Sequence, residues 1–327
     1  MAQGPLPESL NPIAMRIGID AMGGDFAPRI TVAGTVSALS LLMPDSTLVL
    51  FGDQKQIEAL LPAQVVSDPR IEVVDASEVI EMGESPAQAF GRKSNSSIAV
   101  GFQHLQQGLI DGFASAGNTG AMLVGAMATV KQIEGLSRPG IASSIKTISG
   151  SPVTILDVGL NVDCKPEVLF QYGILGSIYA RQLHGIENPR VALLNIGEEP
   201  EKGNIATKTA YPLMQESKQM NFVGNIEASH ILNGDFADVI VCDGFVGNTI
   251  IKQYEGIFEL LVNQGVSLPI MEGMNYENVG GTPVLGVNAN VIIGHGKSSQ
   301  KAIVNMILQT EKTIAAGLVT KFKEAFN

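Results

Sequence analysis

Gly112-Phe-Ala-Ser-Ala-Gly-Asn-Thr-Gly-Ala-Met-Leu-Val124 reads as a short apolar strand, a corner of small and polar residues, and a helix entered directly from that corner. The same order recurs at Asp20-Ala-Met-Gly-Gly-Asp25, Asp157-Val-Gly-Leu-Asn-Val-Asp163, Asn195-Ile-Gly-Glu198, Asp243-Gly-Phe-Val-Gly-Asn248 and Gly294-His-Gly-Lys-Ser298, each following an apolar, β-branched run. Strands that alternate with helices imply parallel pairing with helices on both faces. The fold class is therefore α/β with a mostly parallel sheet. In such a sheet the corners gather at the carboxyl edge, where backbone N–H groups at helix starts lack intrahelical partners and attract anions. A phosphate or carboxylate site is expected along that edge.

Working outward, Met15–Ile19, Thr47–Phe51 and Ile71–Val74 carry the β-rich pattern of strands. Ile30 to Leu42, Ser97 to Gln107, Lys165 to Leu183 and Ser298 to Ala316 return apolar residues at helical spacing. Pro166 suits a first helical turn, where its missing N–H costs nothing. Residues 1–14, interrupted by Pro5, Pro7 and Pro12, read as a flexible tail; residues 15–327 read as one domain or two closely joined lobes around a cleft. The densest irregular stretch, Ser267 to Pro283, suggests a flexible approach to the site.

Composition narrows the function. Of 327 residues, 45% are hydrophobic and 16% charged, enough to bury a large core. A formal charge of −11 argues against nonspecific nucleic-acid binding, which needs an extended cationic surface. Cys164 and Cys242 are far apart with no second Cys or His at zinc spacing, so a reduced cytoplasmic compartment fits and no metal is expected. Residues 111–131 carry charge only at their ends, yet four glycines, Asn118 and Thr119 point to strand, corner and helix, not a membrane span.

Several chemistries lack their residues. There is no G-x-S-x-G elbow, no H-E-x-x-H and no G-x-G-x-x-G after the first strand, and Gly296-Lys297-Ser298 has Val291 where a P-loop needs glycine. A reaction whose nucleophile arrives as a substrate survives, with the protein supplying orientation and charge stabilisation. Gly117, Asn118, Thr119 and Gly120 make the best phosphate cradle, although Asn118 equally suits an N-cap. Asn161, Asp163, Lys165 and Glu167 surround another helix start; Glu198, Lys202 and Asn204 form a charged loop that surface ion pairing could also explain. Asp243 and Asn248 flank a further corner, where capping is again the simple reading. Among four histidines only His295, between two glycines at a strand end, is placed for substrate, and Arg92-Lys93 could meet an anion or simply be solvated.

Taken together, Ile19–Asp25, Ser115–Gly120, Leu156–Glu167, Leu194–Glu198, Lys202–Asn204 and Val241–Asn248 resemble the phosphate acyltransferase family of bacterial phospholipid synthesis, over Met15 to about Gly317. The resemblance implies a three-layer α/β/α fold akin to isopropylmalate dehydrogenase and phosphotransacetylase, a homodimer, no cofactor, and transfer of a fatty acyl group from acyl carrier protein to inorganic phosphate. It also implies peripheral contact with the inner face of the membrane and with a downstream acyltransferase that uses the acyl phosphate. On this reading Asn118, Asp163, Lys165 and His295 are the catalytic candidates. Gly117, Thr119, Gly120, Asn161, Glu198, Lys202, Asn204, Asp243, Asn248 and Gly296 would bind phosphate or substrate. Lys165 or His295 would stabilise the tetrahedral oxyanion or protonate the leaving sulfur. Two departures stand out: the segment between Glu255 and Tyr276 is shorter than in many relatives, which weakens the expectation of membrane contact, and Gly140–Lys146 lacks a second proline after Pro139. Coenzyme A as acyl donor, nicotinamide-dependent oxidation of a hydroxy acid on the same fold, and a noncatalytic scaffold remain the alternatives.

Overall fold

Side-chain alternation inside the strands sets the architecture. A computed structural model describes residues 14–326, so the expected tail lies outside the described residues except for Ala14. Eleven strands form one sheet among them: β1 (Arg16–Asp20), β2 (Thr47–Gly52), β3 (Ile71–Asp75), β4 (Gly112–Ser115), β5 (Gly140–Lys146), β6 (Pro152–Leu156), β7 (Arg190–Asn195), β8 (Asn221–Glu227), β9 (Val239–Val241), β10 (Thr282–Leu285) and β11 (Asn290–Ile293). Their order is β3-β2-β1-β4-β11-β10-β5-β6-β9-β7-β8.

Both faces of each half of the sheet are covered, giving three layers. Ile17, Ile19, Leu48, Leu50, Ala114 and Ile292 turn to one face, under the helices Arg29–Ala38 and Gln300–Ala315. Val49, Phe51, Phe113, Val291 and Ile293 turn to the other, under Ser97–Gln106 and Thr119–Gly125. In the second half, Leu156, Val191, Leu193, Val239 and Val241 pack on the helix Pro166–His184. Val153, Ile155, Ala192, Leu194 and Ile240 pack toward Tyr254 of the helix Gly244–Asn263. This period of two on a sheet buried on both sides is the pattern of a doubly covered α/β domain.

All six corners follow strands (β1, β4, β6, β7, β9 and β11) and each leads into a helix, as the sequence predicts. Their placement differs from expectation. β1, β2, β3, β4 and β11 are mutually parallel, and so are β6, β7, β8 and β9, but antiparallel pairings of β10 with β11, β10 with β5 and β5 with β6 lie between the two blocks. Three reversals leave the blocks running in opposite senses. Their carboxyl ends therefore lie at opposite edges of the sheet, and the corners do not gather along one edge. The irregular stretch before Pro283 contains two short helices, Met271–Met274 and Tyr276–Val279, and runs into β10. Residues 112–125 are strand, corner and helix, and no described helix is long and apolar enough to cross a membrane.

Candidate active site

The corners after β1, β4 and β11 are stitched into one unit. Asp25 N–H donates to the Gly296 carbonyl at 2.8 Å and Gly294 N–H to the Ser115 carbonyl at 2.8 Å. Behind them the buried Asp20 carboxylate accepts from Ser115 Oγ at 2.6 Å and from Met22 N–H at 3.1 Å, while Ser115 Oγ accepts from Gly117 N–H at 2.9 Å. Burial pushes the Asp20 carboxyl up from its ordinary value, against the pull of these donors. Gly23 and Gly117 meet at this point because a Cβ on Gly23 would lie 2.7 Å from Gly117 N and 2.8 Å from Ser115 Oγ.

Asn118 is buried and fully engaged in holding this corner. Its Oδ1 accepts from Ala121 N–H at 3.0 Å, and its Nδ2 faces the carbonyls of Glu81, Met82 and Glu84 at 3.0, 3.3 and 3.1 Å. The side chain both caps the helix and clamps the loop that supplies Met82 to the cavity wall. Gly120 is explained by packing: a side chain there would strike Pro86. Thr119 is exposed at the start of its helix and lines the cavity.

His295 is half-buried on the same rim. Its Nδ1 accepts from Lys297 N–H at 3.2 Å, so the neutral ring carries its proton on Nε2. The ring packs against Tyr276 with centroids 4.9 Å apart, and Tyr276 OH donates to the Lys297 carbonyl at 3.2 Å. Burial, followed by Lys252, lowers the His295 pKa; Glu255 and Asp25 oppose the shift and Lys297 adds to it. The imidazole is thus held neutral around pH 7 and presents a hydrogen-bond donor.

These groups open onto a cavity of about 480 Å³. One end carries Asp25, Thr119, His295, Gly296 and Lys297; the walls carry Ile141, Ile145, Val158, Ile251 and Met274, with Ser143 on the floor provided by β5. Lys252 also lines it but is paired with Glu255 at 2.7 Å. Asn248 lies on the far wall beside Gly159. Sequence reasoning missed Asp25, Ser143, Tyr276 and Lys252. Asp25 stood inside a quoted corner and was legible; the others belong to two helices and a strand whose pattern carries no chemical signal.

The corners of the second block reach this cavity only through Val158, Gly159 and Asn248, and their other polar residues lie apart from it. Asp157 is buried and accepts from Ile141 N–H at 2.9 Å, from Gly159 and Leu160 N–H at 3.2 Å each and from Asn161 N–H at 2.6 Å; burial nonetheless raises its pKa. Asn161 Nδ2 lies 2.7 Å from both the Pro139 carbonyl and Tyr172 OH. Asp157 and Asn161 therefore brace the corner. Gly247 leaves room for it, since a side chain there would run into the Asp157 carbonyl. Asp243 caps its helix by accepting from Val246 N–H at 2.8 Å, and Asn204 does the same for Thr207 N–H at 2.9 Å. Asp163, Lys165, Glu198 and Lys202 are exposed, and among the described residues Lys165 makes no ion pair. None of these residues lines the cavity that holds His295. Burial pushes the Cys164 thiol up to about 12 and holds Cys242 well above its ordinary value, so neither is a ready nucleophile. Among the described residues no cluster of three His, Cys, Asp or Glu side chains is placed to hold a metal ion.

The architecture is that of the phosphotransacetylases. A phosphotransacetylase from Streptococcus pyogenes superposes with a TM-score of 0.62 at 17% identity, covering 92% of this chain and 94% of its own. A branched-chain phosphotransacylase from Enterococcus faecalis V583 gives 0.61 at 14% identity, covering 91% and 99%. Likeness at this level is one of fold. The sequence is more specific: the profile of a family described as fatty acid synthesis protein matches residues 15–264. The phosphate acyltransferase of Desulfitobacterium hafniense is 40% identical over 329 residues, covering 95% of this chain and 97% of that one, and that of Dictyoglomus thermophilum is 40% identical over 332 residues, covering 96% and 98%. The chain belongs to this fatty acid synthesis protein family and is an acyltransferase.

Proposed function

We propose that the protein transfers a fatty acyl group from acyl carrier protein to inorganic phosphate, with the reacting groups meeting beside His295. The observation that carries this reading is the make-up of one cavity: Ile141, Ile145, Val158, Ile251 and Met274 give it apolar surface suited to an acyl chain, and its rim is three stitched corners presenting Thr119, His295 and Lys297. The likeness to phosphate acyltransferases at 40% identity supports phosphate as the acceptor.

Phosphate is already a dianionic nucleophile near neutral pH and needs no covalent relay. Thr119 and the Lys297 ammonium hold it at the rim, while Asn118, Gly117 and Gly120 keep that corner in shape. A phosphate oxygen attacks the thioester carbonyl; the carbonyl π-pair moves to oxygen, and the oxyanion accepts a hydrogen bond from His295 Nε2–H. Collapse breaks the carbon–sulfur bond, releasing acyl phosphate and a thiolate that takes its proton from water.

Lys165 and Asp163 enter this reading through a second copy of the chain. At the opposite sheet edge Val162, Ile196, Ile205 and Phe245 are 61%, 80%, 86% and 67% exposed around the corners after β6, β7 and β9, apolar surface that a homodimer would cover. Glu198, Lys202, Asn204 and Asp243 sit on the same edge. The acyl phosphate then passes to an acyltransferase at the membrane, which this chain would meet peripherally.

The test is phosphate-dependent thiol release with matched palmitoyl donors. A higher kcat/KM with acyl carrier protein than with coenzyme A is expected. Equal or better use of coenzyme A would replace the carrier protein, and binding of NAD with no acyl phosphate formed would replace the reaction.

A further inference from the structure

We propose that the distal part of the acyl chain leaves the reaction cavity through a gap in the sheet beside β5 and ends in a second cavity on the opposite face. This deepens the function proposed above and rests on it.

The gap follows from strand pairing. β5 runs from Gly140 to Lys146, yet β10 pairs with it only at Gly140 and Ile141, while β6 follows it from Ala142 through Lys146. On its β10 side the far half of β5 therefore faces no strand. The helix Tyr276–Val279 and one side of the helix Gln300–Ala315 stand there instead. Beyond them lies a cavity of about 400 Å³. Ser144, Ile145, Gly273 and Val279 line both it and the reaction cavity, so these residues are the shared wall. The reaction cavity belongs to the face of Tyr254 and Met274, whereas Tyr179 and Leu183 of the second belong to the face of the helix Pro166–His184.

What lines the second cavity suits hydrocarbon, because its polar atoms are largely occupied. His184 Nε2 lies 3.1 Å from Ser144 Oγ and 3.2 Å from Thr154 Oγ1, Lys312 Nζ donates to the Leu183 carbonyl at 2.6 Å, and Asn305 Nδ2 donates to the Glu277 carbonyl at 2.7 Å. Burial lowers both His184 and Lys312, as expected of a water-poor site. Leu183, Leu308, Tyr179 and the Lys312 stem remain as contact surface. Gln309 Oε1, buried without a hydrogen-bond partner, marks the polar limit of the space. Size requires such an extension. The reaction cavity is about the size of a site for one drug-like ligand and must already take phosphate, the thioester and the tip of the carrier's arm, so a long chain overflows it.

Leu308 lines only the second cavity and gives the test. Leu308→Trp narrows it and Leu308→Ala enlarges it. With wild type as reference, kcat/KM is measured for octanoyl, palmitoyl and stearoyl thioesters of acyl carrier protein. Each methylene denied burial costs about fourfold, so Leu308→Trp should lower the palmitoyl-to-octanoyl ratio by about tenfold or more, and Leu308→Ala should shift preference toward stearoyl. Octanoyl turnover also reports that each variant is folded. A palmitoyl-to-octanoyl ratio within about twofold of wild type in both variants, or a loss shared by all donors, overturns the passage alone. A wild-type protein inert toward every thioester overturns the reaction assigned above and the passage with it.

Discussion

Replacing His295 by alanine should slow acyl transfer by about a hundred- to a thousandfold, roughly 3–4 kcal/mol of transition-state stabilisation, the usual cost of losing one preorganised oxyanion donor. The size follows from the ring's setting. Because Lys297 N–H occupies Nδ1 at 3.2 Å, only Nε2–H is free to meet developing charge, and burial keeps the ring neutral near pH 7. A donor engaged chiefly in the transition state affects kcat, whereas KM for phosphate should change little. Loss of the packing on Tyr276, with centroids 4.9 Å apart, should cost about 1 kcal/mol of stability at most. A thermal melt therefore separates the two effects. His295→Gln, whose amide N–H can reach toward the same place, should recover part of the rate. The assay is phosphate-dependent thiol release under saturating donor, with ring titration followed by NMR and expected to lie below the ordinary 6.5. Turnover by His295→Ala within about threefold of wild type, with an unchanged melt, would remove the imidazole from the mechanism.

Acid stability should carry the signature of His184. Its folded pKa is lowered from 6.5 to about 4, so between those values the unfolded chain binds a proton that the native chain refuses; stability is full above 6.5 and falls as pH drops, by roughly 3 kcal/mol in all. Urea unfolding of wild type and His184→Gln across that window should converge at low pH, and parallel curves would refute the assignment. Asn118→Ala should lose about 2–4 kcal/mol, combining the helix cap with the donors to the 81–84 carbonyls; Asn118→Ser, which keeps a cap acceptor without those donors, should fall between it and wild type in the same titration. Lys165→Ala should lower turnover by about tenfold or more without changing the melt, and only while the protein is dimeric by light scattering; full turnover would exclude this side chain.

Local punctuation made much of the fold legible. Glycine, asparagine and aspartate stops mark the ends of β1, β4, β6, β7, β9 and β11, and the helices at Ser97–Gln106 and Pro166–His184 fall within a residue or two of their apolar periodicity. What the pattern does not carry is strand direction across the middle of the sheet. β10 is four residues long and emerges from the irregular stretch ending at Pro283, while Gly140–Lys146 reads as a cleft wall without a clear alternation. Those two strands reverse the second block, and so they decide which corners share a cavity. The site divides along the same line. His295, Gly296, Thr119 and Asn248 are found on one cavity wall or another, whereas Asp163, Lys165, Glu198 and Lys202 face solvent at the other edge. For Asn118 the capping reading is realised, since it accepts a backbone N–H at the start of its helix; in the corner after β9 the cap is Asp243 and not Asn248, which lies within the helix, and Asn204, read as part of a charged loop, is a cap as well.

The reversal also explains why so little side-chain chemistry is needed. A single parallel block would crowd every corner along one edge and leave no length of apolar wall between them. Here the rim of the first block meets β5, where Ile141, Ser143 and Ile145 line the cavity from one strand face. On the function proposed above, an anion held at the rim would be presented to a chain lying along β5, with the carbonyl at the head of that chain next to the His295 ring. Since burial leaves Cys164 and Cys242 protonated, no thiol competes to form an acyl-enzyme. Placement and one neutral donor then account for the rate, and any residue that shifts the rim relative to β5 should lower kcat even when it touches neither substrate.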